Sequence, residues 1–263
     1  MITDPDDVVW TLDAADADDA DAADVRTSLL VLPHAGGNAH AYTEWRTFLP
    51  ADVRLLIGQY PGRGARFSDP LPNGVDDLVG PILESLPAGT DDLVVLGHSM
   101  GSLVAFEVAR ALTLAGRAPR ALIASACRAP FIANPSTVHP ERLTDDELVT
   151  AIKARGGTDD GILDEPELRE IIIPSIRADF AIDDVYRYTG PSPALSCPVT
   201  AIGGTEDPVV PLDALTRWAD ITTGPAAFEY LPGGHFYFQQ QLERFFGLVN
   251  SVVSGAPTPH EFA

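Results

Sequence analysis

The chain has 263 residues, 45% of them apolar and 21% charged, and a formal net charge of −21 at neutral pH. This length is ample for a sizeable core, and no apolar stretch is long enough to span a bilayer, so no membrane association is expected. The acidic balance argues against nucleic acid and anionic lipid as partners, because both require basic patches.

The first ten residues, MITDPDDVVW, are acidic and contain no apolar core, so no secretory signal is visible. Cys127 and Cys197 lie far apart, and neither belongs to a Cys-x-x-Cys pair. This usage favours two free buried thiols in a reducing compartment over a disulfide or a metal site. We therefore expect a cytoplasmic protein.

An acidic low-complexity segment, DAADADDADAAD, occupies residues 13–24. It separates a short strand-like piece, VVWTL, from a stronger one, SLLVLP. Its self-repelling charges and few apolar groups predict a mobile loop, and a partner-binding tail is the alternative.

From residue 28 onward, strand-like and helical segments alternate. The predicted strands cover 28–33, 53–61, 92–98, 121–127, 198–204 and 227–233, and the predicted helices cover 41–49, 75–86, 100–115, 212–220 and 237–253. The strands are short, rich in Val, Ile and Leu, and not alternating, which is typical of strands buried on both faces. The sequence therefore predicts an α/β fold with a mostly parallel central sheet and helices on both faces.

Residues 128–196 break the alternation, because they contain no convincing strand. Thr144 and Glu147 form a capping box that predicts the start of a helix. A second predicted helix contains Pro174, which should bend or divide it. We interpret this interval as a helical insertion between two core strands of a single domain covering residues 1–263.

The stretch LVVLGHSMGSLVAFEVAR places Ser99 between two glycines, where a buried strand ends and a helix begins. Gly-x-Ser-x-Gly in this context is the pattern of a nucleophile elbow, a tight turn that exposes the serine oxygen. Gly97 and Gly101 would let the neighbouring strand and helix backbones pass closely. The alternative is an ordinary glycine-rich turn without chemistry.

A serine nucleophile needs a neighbouring base, and this fold places the partners in the order Ser, acid, His. His235, in LPGGHFYF, follows the last predicted strand and is the predicted base. Asp207, in AIGGTEDPVV, is the predicted acid, with Glu206 as the adjacent alternative. Two weaker candidates for the acid lie in the insertion, at Asp183 and Asp184.

An oxyanion hole requires two backbone donors, one of which is the amide that follows the nucleophile. This amide belongs to Met100. The second donor should come from LPHAGGNAHAY, where glycines follow an early strand, and we assign it to the Ala35 N–H. Since no spacing typical of metal ligands occurs, no metal or cofactor is predicted.

These motifs together resemble the type II thioesterases of polyketide synthase and nonribosomal peptide synthetase pathways, a group within the α/β-hydrolases. The resemblance runs from about residue 28 to 250, and the acidic segment departs from it. The matching pieces are LPHAGGNAHAY, YPGRGAR, LGHSMGSLVAFEVAR, IPSIRADF, GGTEDPVV and LPGGHFYF. It implies an α/β-hydrolase fold, in which the insertion of residues 128–196 is a helical lid. Ser99, Asp207 and His235 match the positions of the family's triad, and Ala35 and Met100 match those of its oxyanion donors.

The resemblance also implies the substrate, an acyl group held as a thioester on the phosphopantetheine arm of an acyl or peptidyl carrier protein. Such enzymes remove stalled or aberrant acyl units. Arg63 and Arg66, in YPGRGAR, are interpreted as surface arginines, with contact to the arm's phosphate as the alternative. Apolar insertion residues at helical spacing either pack on the body or line the acyl chamber (Leu168, Ile171, Ile172, Ile176 and Phe180).

Carrier proteins of this class are usually acidic, so we expect the docking face to be depleted of acids and largely apolar. We also expect the enzyme to act as a monomer. Two other functions stay open on the sequence alone. One is a small-ester or lipid esterase or an acyltransferase, and the other is a non-catalytic carrier-binding protein on a hydrolase scaffold.

Overall fold

A computed structural model describes residues 7–13, 25–134, 139–156 and 163–255. Most of the predicted acidic loop, residues 14–24, lies outside the described residues, as do residues 135–138 and 157–162 of the predicted insertion. Seven strands form one sheet: β1 (Val9–Leu12), β2 (Thr27–Leu32), β3 (Val53–Gly58), β4 (Leu93–His98), β5 (Ala121–Ser125), β6 (Val199–Gly204) and β7 (Ala226–Leu231).

The sheet has the strand order β1-β3-β2-β4-β5-β6-β7. Only the edge strand β1 is antiparallel, pairing Val9 with Gly58, and every other pair is parallel. The mostly parallel sheet predicted from the sequence is therefore confirmed. All the parallel strands present their carboxyl ends at one edge, where the loops that carry the predicted site residues emerge.

The helices cover most of the intervals in which the sequence predicts them. They are α1 (Asp76–Glu84), α2 (Met100–Leu114), α3 (Asp145–Arg155), α4 (Pro166–Val185), α5 (Leu212–Thr216) and α6 (Leu242–Ser254). Short 3₁₀ helices occupy Ala39–Phe48, Gly64–Arg66, Pro140–Arg142, Arg217–Ile221 and Tyr237–Gln239. The predicted helix over 41–49 is thus of 3₁₀ type, and those over 212–220 and 237–253 each contain a 3₁₀ segment.

Alternate residues of the central strands bury their side chains on opposite faces of the sheet. Leu30 and Leu32 of β2 pack with α1 and α2, whereas Leu29 and Val31 pack with Trp45 of the first 3₁₀ helix and with α6. Because both faces are covered, the strand sequences show no polar alternation. This arrangement explains the continuous apolar runs seen in the sequence.

The interval between β5 and β6 contains α3 and α4. Thr144 caps α3 and forms the predicted capping box with Glu147. Pro174 lies inside α4 but does not divide it, because the helix continues from Pro166 to Val185. These helices share a small apolar core of their own, which includes Ile152, Ile173, Ile176 and Phe180. Whether this insertion acts as a lid stays a prediction.

The apolar residues of α4 that the sequence places at helical spacing divide into two groups. Ile176 and Phe180 are buried in the insertion's core, and Ile172 packs against it. Leu168 and Ile171, nearer the start of α4, remain about half exposed. The described helices include none that is long and apolar enough to cross a bilayer.

Candidate active site

Ser99 lies at the junction of β4 and α2 in a strained backbone conformation, with φ of 55° and ψ of −127°. The close approach of neighbouring backbones enforces the turn. A Cβ on Gly97 would lie 2.1 Å from the Gly101 carbonyl oxygen, and a Cβ on Gly101 would lie 2.1 Å from the Leu32 carbonyl oxygen. Only glycine fits at either position, so this turn has the geometry of a nucleophile elbow.

The structure brings Ser99, His235 and Asp207 into one hydrogen-bonded line. His235 Nε2 lies 2.9 Å from Ser99 Oγ, and His235 Nδ1 lies 2.8 Å from Asp207 Oδ2. The side chains of His235 and Asp207 are 2% and 1% exposed, whereas Ser99 is partly exposed. Because an ionised carboxylate only accepts hydrogen bonds, Nδ1 carries the proton and Nε2 is free to accept the Ser99 hydroxyl.

The loop after β6 positions Asp207, and not the adjacent Glu206, to contact His235. Asp207 Oδ1 accepts the amides of Val209 and Val210 at 2.8 and 3.2 Å, which leaves Oδ2 for the histidine. Glu206 is exposed and does not contact His235. A Cβ on Gly204 would lie 2.2 Å from the Gly234 carbonyl oxygen, so glycine at 204 lets the histidine loop approach.

The two amides predicted as oxyanion donors lie at the starts of a turn and a helix. The His34 carbonyl accepts the Gly37 N–H at 2.9 Å, which closes a turn around Ala35. Met100 is the first residue of α2, where backbone N–H groups have no partner inside the helix. Neither the Ala35 N–H nor the Met100 N–H donates to another residue in the described part of the chain. Both amides are therefore free to donate to a ligand, and their role stays a prediction.

A buried polar network that the sequence did not reveal lies beneath His235. His98 is fully buried and contacts Ser125 Oγ through Nδ1 at 2.8 Å, and the Tyr237 hydroxyl lies 2.6 Å from the same oxygen. The rings of His98 and His235 are 5.4 Å apart. Burial lowers the pKa of His98 well below the ordinary value of 6.5, and the nearby His235 and His34 lower it further. His98 is therefore a neutral imidazole that lies beside His235.

Arg63 does not lie on the surface, so that interpretation was wrong. Its side chain is 8% exposed and pairs with Asp179 of α4, whose side chain is 0% exposed. Arg66 is also mostly buried, and it pairs with Asp69 and donates to the Gln59 carbonyl. The sequence motifs that contain Arg63 and Asp179 were both recognised, but 116 positions separate the two residues and no spacing rule connects them.

A cavity of about 300 Å³ lies between the turn at His34, the loop after β3 and α4. Polar and apolar groups share its wall: His34, Gly36, Arg63, Phe67, Ile172 and Ile176. Three of the apolar α4 residues singled out from the sequence, Ile171, Ile172 and Ile176, therefore border open space, although Ile176 also belongs to the insertion's core.

Among the described residues, one group of side chains could hold a metal ion, and it contains none of the predicted triad residues. Ligand atoms of His139, Glu141 and Asp184 lie within 4.8 Å of one another, and His139 Nδ1 contacts Asp184 Oδ2 at 2.9 Å. His139 is thus paired with Asp184. Exposed acidic groups of this kind are common without an ion. The expectation of no metal and no cofactor stays a prediction.

Comparison with known proteins identifies a family whose model covers most of the chain. The family model for the thioesterase domain matches residues 27–252. A thioesterase of Streptomyces venezuelae, PikA5, is 34% identical over 235 residues, which are 87% of this chain and 83% of that protein.

Solved structures of thioesterases are also similar to this chain. The type II thioesterase BorB from the borrelidin biosynthetic cluster superposes with a TM-score of 0.77 at 33% identity, covering 86% of this chain and 92% of BorB. RedJ, a thioesterase from the prodiginine pathway of Streptomyces coelicolor, superposes with a TM-score of 0.79 at 30% identity, covering 86% and 90%.

Proposed function

The chain belongs to the thioesterase family, as a type II thioesterase of polyketide and nonribosomal peptide pathways, and we propose that it removes acyl groups from carrier proteins. The acyl group would be held as a thioester on the carrier's phosphopantetheine arm, and an aberrant or stalled unit would be released. One observation carries this proposal: in a chain of this family, Ser99, His235 and Asp207 form a continuous hydrogen-bonded line.

The first chemical step is acyl transfer to Ser99. His235 Nε2 takes the hydroxyl proton as Ser99 Oγ attacks the thioester carbonyl carbon, and Asp207 stabilises the imidazolium that forms without taking the proton. The C–S bond then breaks, and the pantetheine sulfur leaves as a thiol with the proton that His235 gives back, so His235 is neutral again. Because free thiols have a pKa of about 8.5, protonating this leaving group makes little demand on His235 as the general acid.

The second step is hydrolysis of the acyl-serine. A water molecule gives a proton to His235 and attacks the acyl carbon, and Ser99 leaves with the proton returned by His235. The free Ala35 and Met100 amides would stabilise the negative charge on the carbonyl oxygen in both steps. Loss of one such donor typically costs about 2.7–4 kcal/mol in the transition state.

The remaining parts of the proposal concern the surroundings of the chemistry. The insertion would cover the site and limit the entry of water. Neither chemical step would require a cofactor. Monomeric action and a cytoplasmic location, both expected from the sequence, belong to the proposal as well.

A comparison of kcat/KM on three substrates tests the substrate class. We expect an acyl-carrier protein to be preferred over the same acyl group on coenzyme A and on p-nitrophenol, with Ser99→Ala inactive on all three. A preference of several orders of magnitude for the p-nitrophenyl ester would instead support a small-ester esterase.

Active-site labelling separates catalysis from carrier binding alone. A fluorophosphonate should label Ser99 stoichiometrically, and His235→Ala should abolish the labelling because the serine then lacks its base. An unlabelled protein that still binds the carrier would be a non-catalytic binding protein.

A further inference from the structure

Asp179 lies in the middle of α4, far in sequence from the predicted catalytic residues, and its side chain is fully buried. Its carboxylate binds Arg63 through two hydrogen bonds, Nη1 to Oδ2 at 2.6 Å and Nη2 to Oδ1 at 2.9 Å. Oδ2 also accepts the backbone N–H of Gly36 at 2.8 Å. Hydrogen bonds to an ionised group are among the strongest in proteins, so this carboxylate fixes the groups around it.

The amide that Asp179 accepts belongs to the turn around Ala35. The Gly37 N–H to His34 carbonyl hydrogen bond and the Gly36 φ of 80° identify a type II turn, with Ala35 and Gly36 at its centre. In such a turn the peptide between the two central residues can reverse its orientation at low cost when nothing holds it. Asp179 holds it, because a reversed peptide would point the Ala35 carbonyl at a carboxylate.

Hydrogen bonding leaves a single free amide in this turn among the described residues. The His34, Gly36 and Gly37 amides donate to the Tyr42 hydroxyl, to Asp179 Oδ2 and to the His34 carbonyl. The Ala35 N–H alone has no acceptor. Arg63 holds the other side of the turn, because its Nη1 donates to the Gly37 carbonyl at 3.1 Å.

We propose that Asp179 is a positioning residue for the oxyanion site, which acts by holding the turn so that the Ala35 N–H points at the reacting carbonyl. This inference rests on the proposed function. It gives α4, a helix of the insertion, a part in shaping the catalytic site.

The same contacts define which part of the insertion is fixed. A Cβ on Gly36 would lie 2.9 Å from Cγ1 of Ile176, so α4 packs directly on the turn. Withdrawing α4 would expose a buried Arg63–Asp179 pair and break the hydrogen bond to Gly36. We therefore expect the middle of α4 to stay packed on the turn, so that any movement of the insertion as a lid would involve its other parts.

The test is Asp179→Asn, which keeps the side-chain shape but removes the charge that orients Gly36. We expect kcat for an acyl-carrier thioester to fall by about 10- to 100-fold, less than the ~100- to 1000-fold typical when a whole donor is removed. KM should stay within about threefold, since an oxyanion site acts on the transition state and not on the bound substrate. Binding of a trifluoromethyl ketone analogue, which forms a tetrahedral adduct, should weaken in parallel with kcat.

Asp183→Asn is the matched control on the same helix. Asp183 also pairs with a buried arginine, Arg128, at 2.9 Å, but it does not contact the turn. It should lower the thermal unfolding temperature as Asp179→Asn does, yet keep kcat within about twofold of the wild type when both proteins are folded. Equal losses of kcat in the two variants, or an unchanged kcat in Asp179→Asn, would overturn the proposal.

A measurement on the wild type keeps the proposal testable if Asp179→Asn does not fold. The Gly36 amide should exchange its hydrogen slowly, as a buried amide bonded to a carboxylate does, and an exchange rate typical of an open loop would contradict the proposal. Failure of the proposed function is distinguishable, because the wild type itself would then leave the acyl-carrier thioester intact while Gly36 stayed protected.

Discussion

The Asp207 carboxylate uses its two oxygens for different tasks. Oδ1 is held by the backbone amides of Val209 and Val210, so the orientation of Oδ2 toward His235 is set by the loop and not by the histidine. A side chain held in this way can fix the imidazole tautomer throughout the reaction.

Replacing Asp207 by Asn keeps the shape but presents an amide to His235 Nδ1. We expect the imidazole to adopt the other tautomer, so that Nε2 carries the proton and no longer accepts from Ser99, and kcat to fall by about 10⁴-fold. The measurement is steady-state hydrolysis of an acyl-carrier thioester, with the release of free thiol as the readout. Glu206→Gln is the control, and its kcat should match that of the wild type because Glu206 is exposed and does not touch the histidine. A comparable loss in Glu206→Gln would contradict the assignment.

His98 makes a second prediction at the scale of a residue, which concerns stability and pH. Its pKa in the folded protein lies well below 6.5, because the imidazole is buried and His235 and His34 lie near it. The unfolded chain therefore binds more protons once the pH falls below about 6.5, and folding stability decreases with decreasing pH by up to ~1.4 kcal/mol per unit.

His98→Asn removes this titration while retaining a polar group near Ser125. Urea unfolding between about pH 5.5 and 7.5 should show a weaker dependence of the unfolding free energy on pH in the variant than in the wild type. The comparison uses slopes, since the substitution also lowers stability at every pH. Parallel slopes for the two proteins would show that His98 binds protons equally in the folded and unfolded states, which contradicts a lowered pKa.

At the scale of the elements, the close packing of the β2 end against the start of α2 fixes the position of Ser99. Gly101 is the second residue of α2, and a Cβ there would lie 2.1 and 2.5 Å from the carbonyl oxygens of Leu32 and Pro33. Because the obstructing atoms are backbone, a larger residue cannot be accommodated by a change of rotamer. We expect Gly101→Ala to cost more than ~4 kcal/mol or to prevent folding.

Gly247 provides the matched control, because it lies in α6, is exposed and has nothing within 4 Å of a Cβ added there. Gly247→Ala should stabilise the protein by about 0.5–1 kcal/mol, as expected for a helical glycine free of contacts. Thermal and urea unfolding measure both variants. A mild effect of Gly101→Ala would show that the two elements are not held as closely as the structure indicates.

The elements also show why part of the site follows from the sequence and part does not. The strand-to-helix turn at Ser99 and the capping box at Thr144 and Glu147 are encoded within a few neighbouring residues, so their spacing is readable. The bond between His235 and Asp207 was predicted because each follows its own strand at the same edge of the sheet. The Arg63–Asp179 pair joins the loop after β3 to α4, which only tertiary packing brings together, and Arg63 was therefore assigned to the surface.

The predicted ends of the strands differ from the observed ends for a related reason. The apolar runs over 53–61 and 121–127 extend beyond β3, which ends at Gly58, and beyond β5, which ends at Ser125. After β5 the backbone turns at Ala126, where φ is 48°. Buried loop residues at the functional edge are as apolar as the strands they follow, so composition alone does not mark the boundary.

At the scale of the whole molecule, the net charge of −21 bears on how an acidic carrier would bind. Two acidic proteins repel each other at a distance, and salt screens that repulsion over about 10 Å at 0.1 M. If docking uses a largely apolar face, kcat/KM for an acyl-carrier protein should stay constant or rise modestly between about 0.05 and 0.5 M NaCl. A steep fall with salt would mean that opposite charges steer the carrier to the site. The same series with a small acyl thioester controls for effects of salt on the chemistry.

The measurement that tests the central claim most directly is the mass of an acylated carrier protein after incubation with the enzyme. The account predicts that wild-type enzyme returns the carrier to the mass of the free phosphopantetheine form and releases the acid, whereas Ser99→Ala leaves the acyl group in place. A carrier that keeps its acyl group with the wild-type enzyme, or loses it equally fast with Ser99→Ala, would contradict the account.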